Sequence, residues 1–139
     1  MIKRLTDAIS LALSERFPDS HIYTEEVEQG LELPAFLIVP ELPTHEQFMD
    51  KRYFQRYPFK VHYFPEKEGF REEVAKVFSN LYDCLEWVKD LEGQPYTGRR
   101  MQSFETEHAL VFEVTYSMFV DRITQDQKME SLENNLETE

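Results

Sequence analysis

The side chains that could do chemistry in this sequence are scattered. Each of the four histidines falls in a different predicted element, and no two have the spacing of metal ligands. They are His21, His45, His62 and His108. We interpret them as surface histidines, not as metal ligands or general bases.

An acidic run offers the best candidate for a cation site. It consists of Glu25 and Glu26, followed by Glu28. Adjacent residues of a strand point to opposite faces, so Glu25 and Glu26 cannot easily converge on one ion. We therefore interpret the run as a solvated acidic edge.

Cysteine, glycine and serine give no support to the usual catalytic sites. Cys84 is the only cysteine, which excludes an intramolecular disulfide or a thiolate cluster within one chain. It lies beside an apolar helical stripe, which favours a buried structural thiol over a nucleophile. The chain has four glycines, too few for a clear phosphate loop, and no serine in a nucleophile-elbow context. These residues form no catalytic constellation, and we predict that the protein is not an enzyme.

The most informative stretch is an alternating one from Tyr53 to Phe64. A period of two over that length indicates a half-buried strand, and at about 3.3 Å per residue it would run roughly 40 Å. A small domain rarely needs so long a strand for its own core. Pro58 removes one donor in the middle, which favours an edge position or a bulge. The basic and aromatic side of this strand is therefore predicted to face another molecule.

Composition limits the classes of partner. The chain has 139 residues, 41% hydrophobic and 30% charged, enough for one globular domain. Its net charge of -12 argues against wrapping around duplex DNA by phosphate neutralisation. The basic pairs Lys51-Arg52 and Arg99-Arg100 are a weak nucleic-acid signal in so acidic a chain, and we interpret them as partners of acidic groups across an interface. With no signal-peptide pattern or membrane span, we expect a soluble cytoplasmic protein.

The elements are predicted from apolar periodicity and turn residues. They are a helix over 2–16, strands over 21–27, 33–42 and 53–64, a helix over 70–90, and strands over 98–107 and 110–120. Residues 44–50 are predicted as a loop, and the last two strands as a hairpin turning near Glu107-His108. The order α-β-β-β-α-β-β predicts an α+β fold, a mostly antiparallel sheet of about five strands with two main helices packed on it.

We expect a single domain over 1–120 and an acidic tail over 121–139. Met129, Leu132 and Leu136 have a spacing compatible with a helix, but a chain end this polar is expected to be mobile when free.

The order of short motifs resembles the tail terminator proteins of long-tailed bacteriophages and prophages of Gram-positive bacteria. The motifs are Phe17-Pro18, Ile22-Tyr23, Glu26-Val27, Gln29-Gly30, Pro34-Ala35-Phe36, Arg52-Tyr53, Tyr57-Pro58-Phe59, Tyr63-Phe64-Pro65, Gly98 with Met101, and Leu110–Tyr116. Together they cover residues 1 to 120. The order and spacing of the motifs are a more specific signal of the family than any single motif.

The resemblance implies a structural protein without an active site, cofactor or metal. It implies a hexameric ring at the head-proximal end of the tail tube that stops tube polymerisation and presents a surface to the head connector. DNA would pass through such a ring without specific binding, and acidic lumen walls would let the duplex slide. The implied location is the virion tail, after assembly in the host cytoplasm.

Residues of the long strand and the two basic pairs are the candidates for the contact between subunits. They are Arg52, Tyr53, Arg56, Tyr57, Arg99 and Arg100. Two alternatives stay open: another head–tail connector or tail-completion component, and an acidic inhibitor that mimics DNA. A mimic should place carboxylates regularly along one face, whereas here they fall in helix starts, edges and the tail.

Overall fold

The computed structural model describes residues 1–24, 30–67 and 71–121. Two helices and seven strands lie in these ranges. Their bounds are α1 (Ile2–Arg16), β1 (His21–Tyr23), β2 (Ala35–Pro40), β3 (Thr44–Met49), β4 (Arg52–Phe64), α2 (Arg71–Leu85), β5 (Trp87–Lys89), β6 (Pro95–Glu105) and β7 (Leu110–Asp121).

The chain divides into two compact units. Unit 1 comprises Met1–Leu42 and Tyr57–Ser117, and unit 2 comprises Pro43–Arg56 and Met118–Glu139, of which the structure describes residues up to 121. Strands β4 and β7 contribute residues to both units.

The sheet confirms the α+β class and corrects the predicted strand number and direction. Its order is β1-β2-β4-β7-β6-β5, with β3 also paired to β4. Strand β1 runs parallel to β2, whereas β2 and β3 run antiparallel to β4, and β6 antiparallel to β5 and β7. The sheet is therefore mixed and has seven strands, not mostly antiparallel with about five.

The two extra strands come from segments without a strand signature. Strand β3 lies where a loop was predicted, and all six of its residues are exposed, so it has no apolar face that a pattern could reveal. Strand β5 lies where the end of α2 was predicted. The helix was predicted to extend that far because Val88 continues the apolar helical stripe in spacing. In the structure Val88 is instead the buried centre of a short strand between exposed Trp87 and Lys89.

Helix α1 has the predicted bounds. Its buried residues recur at helical spacing, and they are Leu5, Ala8, Ile9 and Leu13. The Phe17 amide donates to the Leu13 carbonyl at 2.8 Å, and Pro18 prevents continuation. The Phe17 ring then packs on Phe36 of β2 with 4.9 Å between centroids.

Helix α2 ends earlier than predicted, and groups of β6 and β7 donate to the carbonyl groups at its end. The buried Tyr116 hydroxyl donates to the Leu85 carbonyl at 2.7 Å, and the Gly98 amide donates to the Glu86 carbonyl at 2.6 Å. Carbonyls at a helix end have no partner within the helix, so these bonds supply it. The helix thus stops where β6 and β7 cover its end.

The central strands have the predicted burial patterns. Ala35–Ile38 of β2 are buried without interruption, as expected for a strand covered on both sides. In β4, Phe59, Val61 and Tyr63 are buried and alternate with half-buried residues. The predicted length of β4 is confirmed, since it runs for 13 residues.

The turn between β6 and β7 also lies where it was predicted. The Thr106 amide donates to the Ala109 carbonyl at 2.8 Å, which closes the hairpin over residues 107–108. The ends of three other predictions fall outside the described residues: strand residues 25–27 with Glu28, the helix start at Phe70, and the tail from residue 122 onwards. Within the described ranges, no helix is long and apolar enough to cross a membrane.

Asp90 is the one charged side chain buried among the described residues. Its Oδ1 accepts the amides of Glu92 and Gln94 at 2.9 Å, and its Oδ2 accepts the Tyr96 hydroxyl at 3.0 Å. The Arg4 Nε lies 3.7 Å from Oδ2. Burial acts to raise the pKa of Asp90, but the hydrogen bonds and Arg4 outweigh it and lower the pKa below its ordinary value of 3.8.

This lowered pKa predicts an acid-sensitive contribution to stability. A carboxylate with a lowered folded pKa stabilises the fold above its unfolded pKa and loses that effect as pH falls through the folded pKa. Between neutral pH and pH values below 3.8, wild type should therefore lose more free energy of unfolding than Asp90→Asn does. Urea unfolding across that range measures the difference. Asp83→Asn, at a side chain 70% exposed, is the control and should follow wild type. Parallel profiles for wild type and Asp90→Asn would contradict the assignment.

Candidate functional site

An exposed aromatic cluster lies in unit 2. The ring of Phe119 at the end of β7 packs on Phe48 and Phe54, with centroid distances of 5.1 Å and 4.9 Å. Phe48 and Phe119 are nevertheless 56% and 51% exposed. Phe48 lies at the register shift of β3 between Gln47 and Met49, and such a bulge re-aims the side chain it carries.

These rings line a shallow groove of about 350 Å³, which we call the phenylalanine groove. Its lining residues are Glu46, Gln47, Phe48, Phe54, Arg56 and Phe119. Exposed aromatic side chains with a polar rim can bind another macromolecule.

Two arginines are held over the rings. The Arg56 guanidinium carbon lies 4.6 Å from the Phe54 centroid, and Nη1 donates to Glu46 Oε1 at 3.0 Å. The Arg52 guanidinium carbon lies 5.5 Å from the Phe119 centroid. Stacked guanidinium groups keep their charge while covering apolar surface. The face can therefore bind a partner that offers both apolar and acidic groups.

Strands β3 and β4 form an antiparallel hairpin, and its face opposite the phenylalanine groove carries Tyr53. Its ring stacks on His45 with 4.6 Å between centroids and 18° between planes. The Gln55 Nε2 lies 3.0 Å from His45 Nδ1. Since strand residues alternate, Tyr53 faces away from Arg52 and Arg56, so a partner covering one face of β4 meets either the tyrosine or the arginines.

The outer edge of β3 is a third feature of the hairpin. Among the described strands, β3 pairs with β4 alone. An edge strand with unpaired backbone groups can pair with a strand of another chain. The hairpin therefore offers two faces and an edge.

The remaining predicted contact residues belong to unit 1. Tyr57 is half-buried on β4, and Arg99 and Arg100 are exposed on β6. Arg100 has φ 55 and lies where the β6–β7 register shifts between Arg99 and Gln102. The structure thus brings Arg52 and Arg56 to one face of unit 2 and leaves Arg99 and Arg100 in the other unit.

The register shift between Arg99 and Gln102 is a bulge in β6, and the left-handed backbone conformation of Arg100 allows it to be tested. Glycine adopts that conformation without the cost of about 1 kcal/mol that other residues bear. Arg100→Gly should therefore leave the free energy of unfolding unchanged or raise it by up to about 1 kcal/mol. Arg99→Gly, the neighbour without a positive φ, should lower it by about 0.5–1 kcal/mol. Equal losses in urea unfolding for both variants would contradict the bulge geometry.

The cysteine and two of the histidines considered as catalytic candidates pack among other side chains. Burial raises the pKa of Cys84 to about 11, although Arg16 acts to lower it, so the thiol stays protonated at neutral pH. His62 stacks on Phe64, and His45 packs as described on Tyr53. The described part of the chain holds no group of three or more His, Cys, Asp or Glu that could bind a metal.

Sequence reasoning missed Phe48 and Phe119. Phe48 lies in the segment predicted as a loop. For Phe119 there was a signal, because it is an apolar residue at a polar-face position of the β7 alternation, next to Met118 and Val120.

Comparison with protein families gives a match that spans residues of both units. The family model for phage tail terminator protein matches residues 4–129. Comparison with curated protein sequences gives no match. The matched range covers most of the chain, including the phenylalanine groove. The chain therefore belongs to the phage tail terminator protein family.

Proposed function

We propose that this chain forms a ring that caps the head-proximal end of the tail tube, ends tube polymerisation and provides the surface for head joining. Family membership supports a structural role in the phage tail. The observation that carries the ring is the exposed hairpin of unit 2, which combines an apolar groove, two stacked arginines and an open strand edge.

The contact between subunits is proposed to be head-to-tail and to close by rotation into a hexameric ring. Arg52 and Arg56 on the groove face would meet acidic groups of the next copy. Tyr53 would act on the opposite face or at the rim. Tyr57, with Arg99 and Arg100, would contribute from unit 1.

Charge supports a passage for DNA through the ring. The chain carries 27 acidic and 15 basic residues, so its surface repels phosphates overall. Local basic charge lies on the hairpin, where a protein partner is proposed. We therefore propose that DNA passes without specific binding and that the partners are further copies, the tail tube protein and the head connector or stopper protein.

The proposed location is the head-proximal end of the virion tail. Before assembly the chain is proposed to be in the host cytoplasm. We propose a structural role without catalysis, cofactor or metal, in keeping with the family. Another connector or tail-completion role uses similar elements and is the second candidate. A DNA mimic is disfavoured because the phenylalanine groove is lined by aromatic rings and Arg56, not by rows of carboxylates.

Tube growth in the presence of the chain tests the proposal. Purified tail tube protein is allowed to polymerise with and without the chain, and tube lengths are measured by electron microscopy. Terminator activity should stop elongation at substoichiometric amounts relative to tube protein. Unaltered tube length, together with binding to head connector protein alone, would favour the connector role.

A further inference from the structure

The turn between β5 and β6, over residues 90–94, is held in one conformation by its own hydrogen bonds. The Asp90 amide donates to the Gln94 carbonyl, and the Gly93 amide donates to the Asp90 carbonyl, both at 3.0 Å. The buried Asp90 carboxylate also accepts the amides of Glu92 and Gln94. A turn fixed in this way loses little conformational entropy when a partner binds it.

The tip of this turn is both apolar and acidic. Leu91 is 73% exposed, and the Glu92 side chain beside it is 76% exposed. Glu92 Oε1 accepts from Arg4 Nη2, but both side chains of this pair reach solvent, so the pair contributes little to stability. Residues 90–94 contain two carboxylates and no cation. The turn therefore presents a leucine next to a carboxylate that can change its partner at little cost.

The phenylalanine groove has the complementary properties. It exposes the rings of Phe48 and Phe119, and Arg56 is part of its lining. Residues 43–56 contain three cations against two carboxylates, in a chain of net charge -12. The hairpin is thus locally basic, whereas the turn is acidic. Opposite charges on two surfaces steer them together and fix the way in which they meet.

The two surfaces lie on different units of the chain. The turn belongs to unit 1 and the groove to unit 2. A contact between two different patches is heterologous, so each copy uses its turn for one neighbour and its groove for the other. Such head-to-tail contacts generate a ring when the rotation between copies closes. A groove of about 350 Å³ also has room for a leucine side chain.

We propose that the phenylalanine groove of one copy binds the β5–β6 turn of the next copy, with Leu91 on the rings and Glu92 towards Arg56. The inference rests on the proposed function and deepens it, because it names the acidic group that the groove meets. Leu91 and Glu92 contact the neighbour. Asp90 is a positioning residue, since it holds the turn without touching the partner.

A charge swap between the two surfaces tests this contact. Self-association of the full chain is measured by sedimentation equilibrium, and rings on isolated tail tubes are counted by electron microscopy. Glu92→Arg and Arg56→Glu should each weaken self-association by about tenfold or more, because like charges then face each other. Combining both changes in one chain should restore much of it, since the pair is present again with its charges exchanged.

Mixing the two single variants is a sharper form of this test. Each variant alone brings Arg against Arg or Glu against Glu at every contact. In an alternating assembly of the two, the unchanged turn meets an unchanged groove at one contact, and the reversed turn meets the reversed groove at the next. An equal mixture of Glu92→Arg and Arg56→Glu should therefore assemble when neither variant does alone.

Two further variants serve as a matched control and as a test of the apolar half. Glu105→Arg makes the same charge change at the other end of β6, and it also breaks an exposed ion pair, with Arg71. Its self-association should equal that of wild type. Leu91→Ser should weaken self-association while urea unfolding stays close to wild type, because the side chain is exposed in the monomer. Circular dichroism checks that every variant is folded.

The outcomes separate this inference from the proposed function. Rings that form normally from Glu92→Arg, or a mixture that does not assemble, would overturn the inference and leave the ring itself standing. The groove would then belong to another occupant, such as the tail tube protein. Self-association that depends on Glu92 and Arg56, with tubes left uncapped, would contradict the proposed function and support the contact. A wild type that stays monomeric in solution and on tubes would contradict both.

Discussion

Replacing Gly98 with alanine is expected to lower the free energy of unfolding by about 2–3 kcal/mol. An added Cβ would lie 2.7 Å from the Leu85 carbonyl oxygen, 2.8 Å from Val114 Cγ2 and 3.3 Å from Tyr116 Cε1. The oxygen belongs to the backbone at the end of α2 and accepts the buried Tyr116 hydroxyl, so it cannot move without loss of that bond. Position 98 has no room for a side chain because β6 and β7 pack against the C-terminal end of α2.

Equilibrium unfolding in urea measures this loss, and Gly93→Ala is the matched control. Nothing lies within 4 Å of an added Cβ at Gly93, although its φ of 88 favours glycine. That variant should lose only about 1 kcal/mol, from backbone strain alone. If Gly98→Ala costs no more than Gly93→Ala, the close approach of β6 to the end of α2 is wrong.

Arg56→Glu is expected to block ring assembly while the monomer stays folded. The side chain pairs with Glu46 at 3.0 Å and covers Phe54, but both partners are partly exposed, so the loss of stability should be about 1 kcal/mol. At an interface, a reversed charge against an acidic neighbour costs several kcal/mol in binding. Circular dichroism should match wild type, whereas mass measurement should find no rings.

Two matched variants separate the contact between subunits from local effects. Lys3→Glu changes net charge by the same amount on an 88% exposed side chain of α1, and its rings should form normally. Glu46→Arg combined with Arg56→Glu restores an opposite-charge pair within the hairpin. If this double variant still forms no rings, Arg56 acts on the neighbour. Rings from Arg56→Glu itself would remove Arg56 from the interface.

The elements with a strong period could be predicted from the sequence. The stripe from Leu5 to Leu13 defined α1, and the alternation from Tyr53 to Phe64 defined β4. These predictions succeeded because burial selects apolar residues at the period of each element. The resemblance to tail terminators, which rested on the order of motifs along the chain, is confirmed by the family match.

Elements that depend on contacts distant in sequence could not be predicted. Strand β3 has only exposed residues, and its hydrogen bonds to β4 leave no mark on its own composition. Helix α2 ends at Leu85, and the Leu85 carbonyl accepts from the hydroxyl of Tyr116, a residue distant in sequence. Local periodicity carries no information about such a partner.

The role of the candidate residues at a contact between subunits stays a prediction. Arg56 was identified from the basic side of the strand and Arg52 from the basic pair Lys51-Arg52, and the structure places both over aromatic rings. The rings of Phe48 and Phe119, which turn that side into a groove, lie in two other strands. Only the register of β3 with β4 and the end of β7 bring them together, so composition alone could not reveal them.

Electron microscopy of the full chain mixed with isolated tail tubes, with mass measurement of the chain alone, tests the central claim most directly. The account predicts closed hexameric rings, free or formed on the tube, and ring density at one end of each tube. It would be contradicted by bare tube ends and a chain that stays monomeric and binds a nuclease or polymerase tightly, one to one.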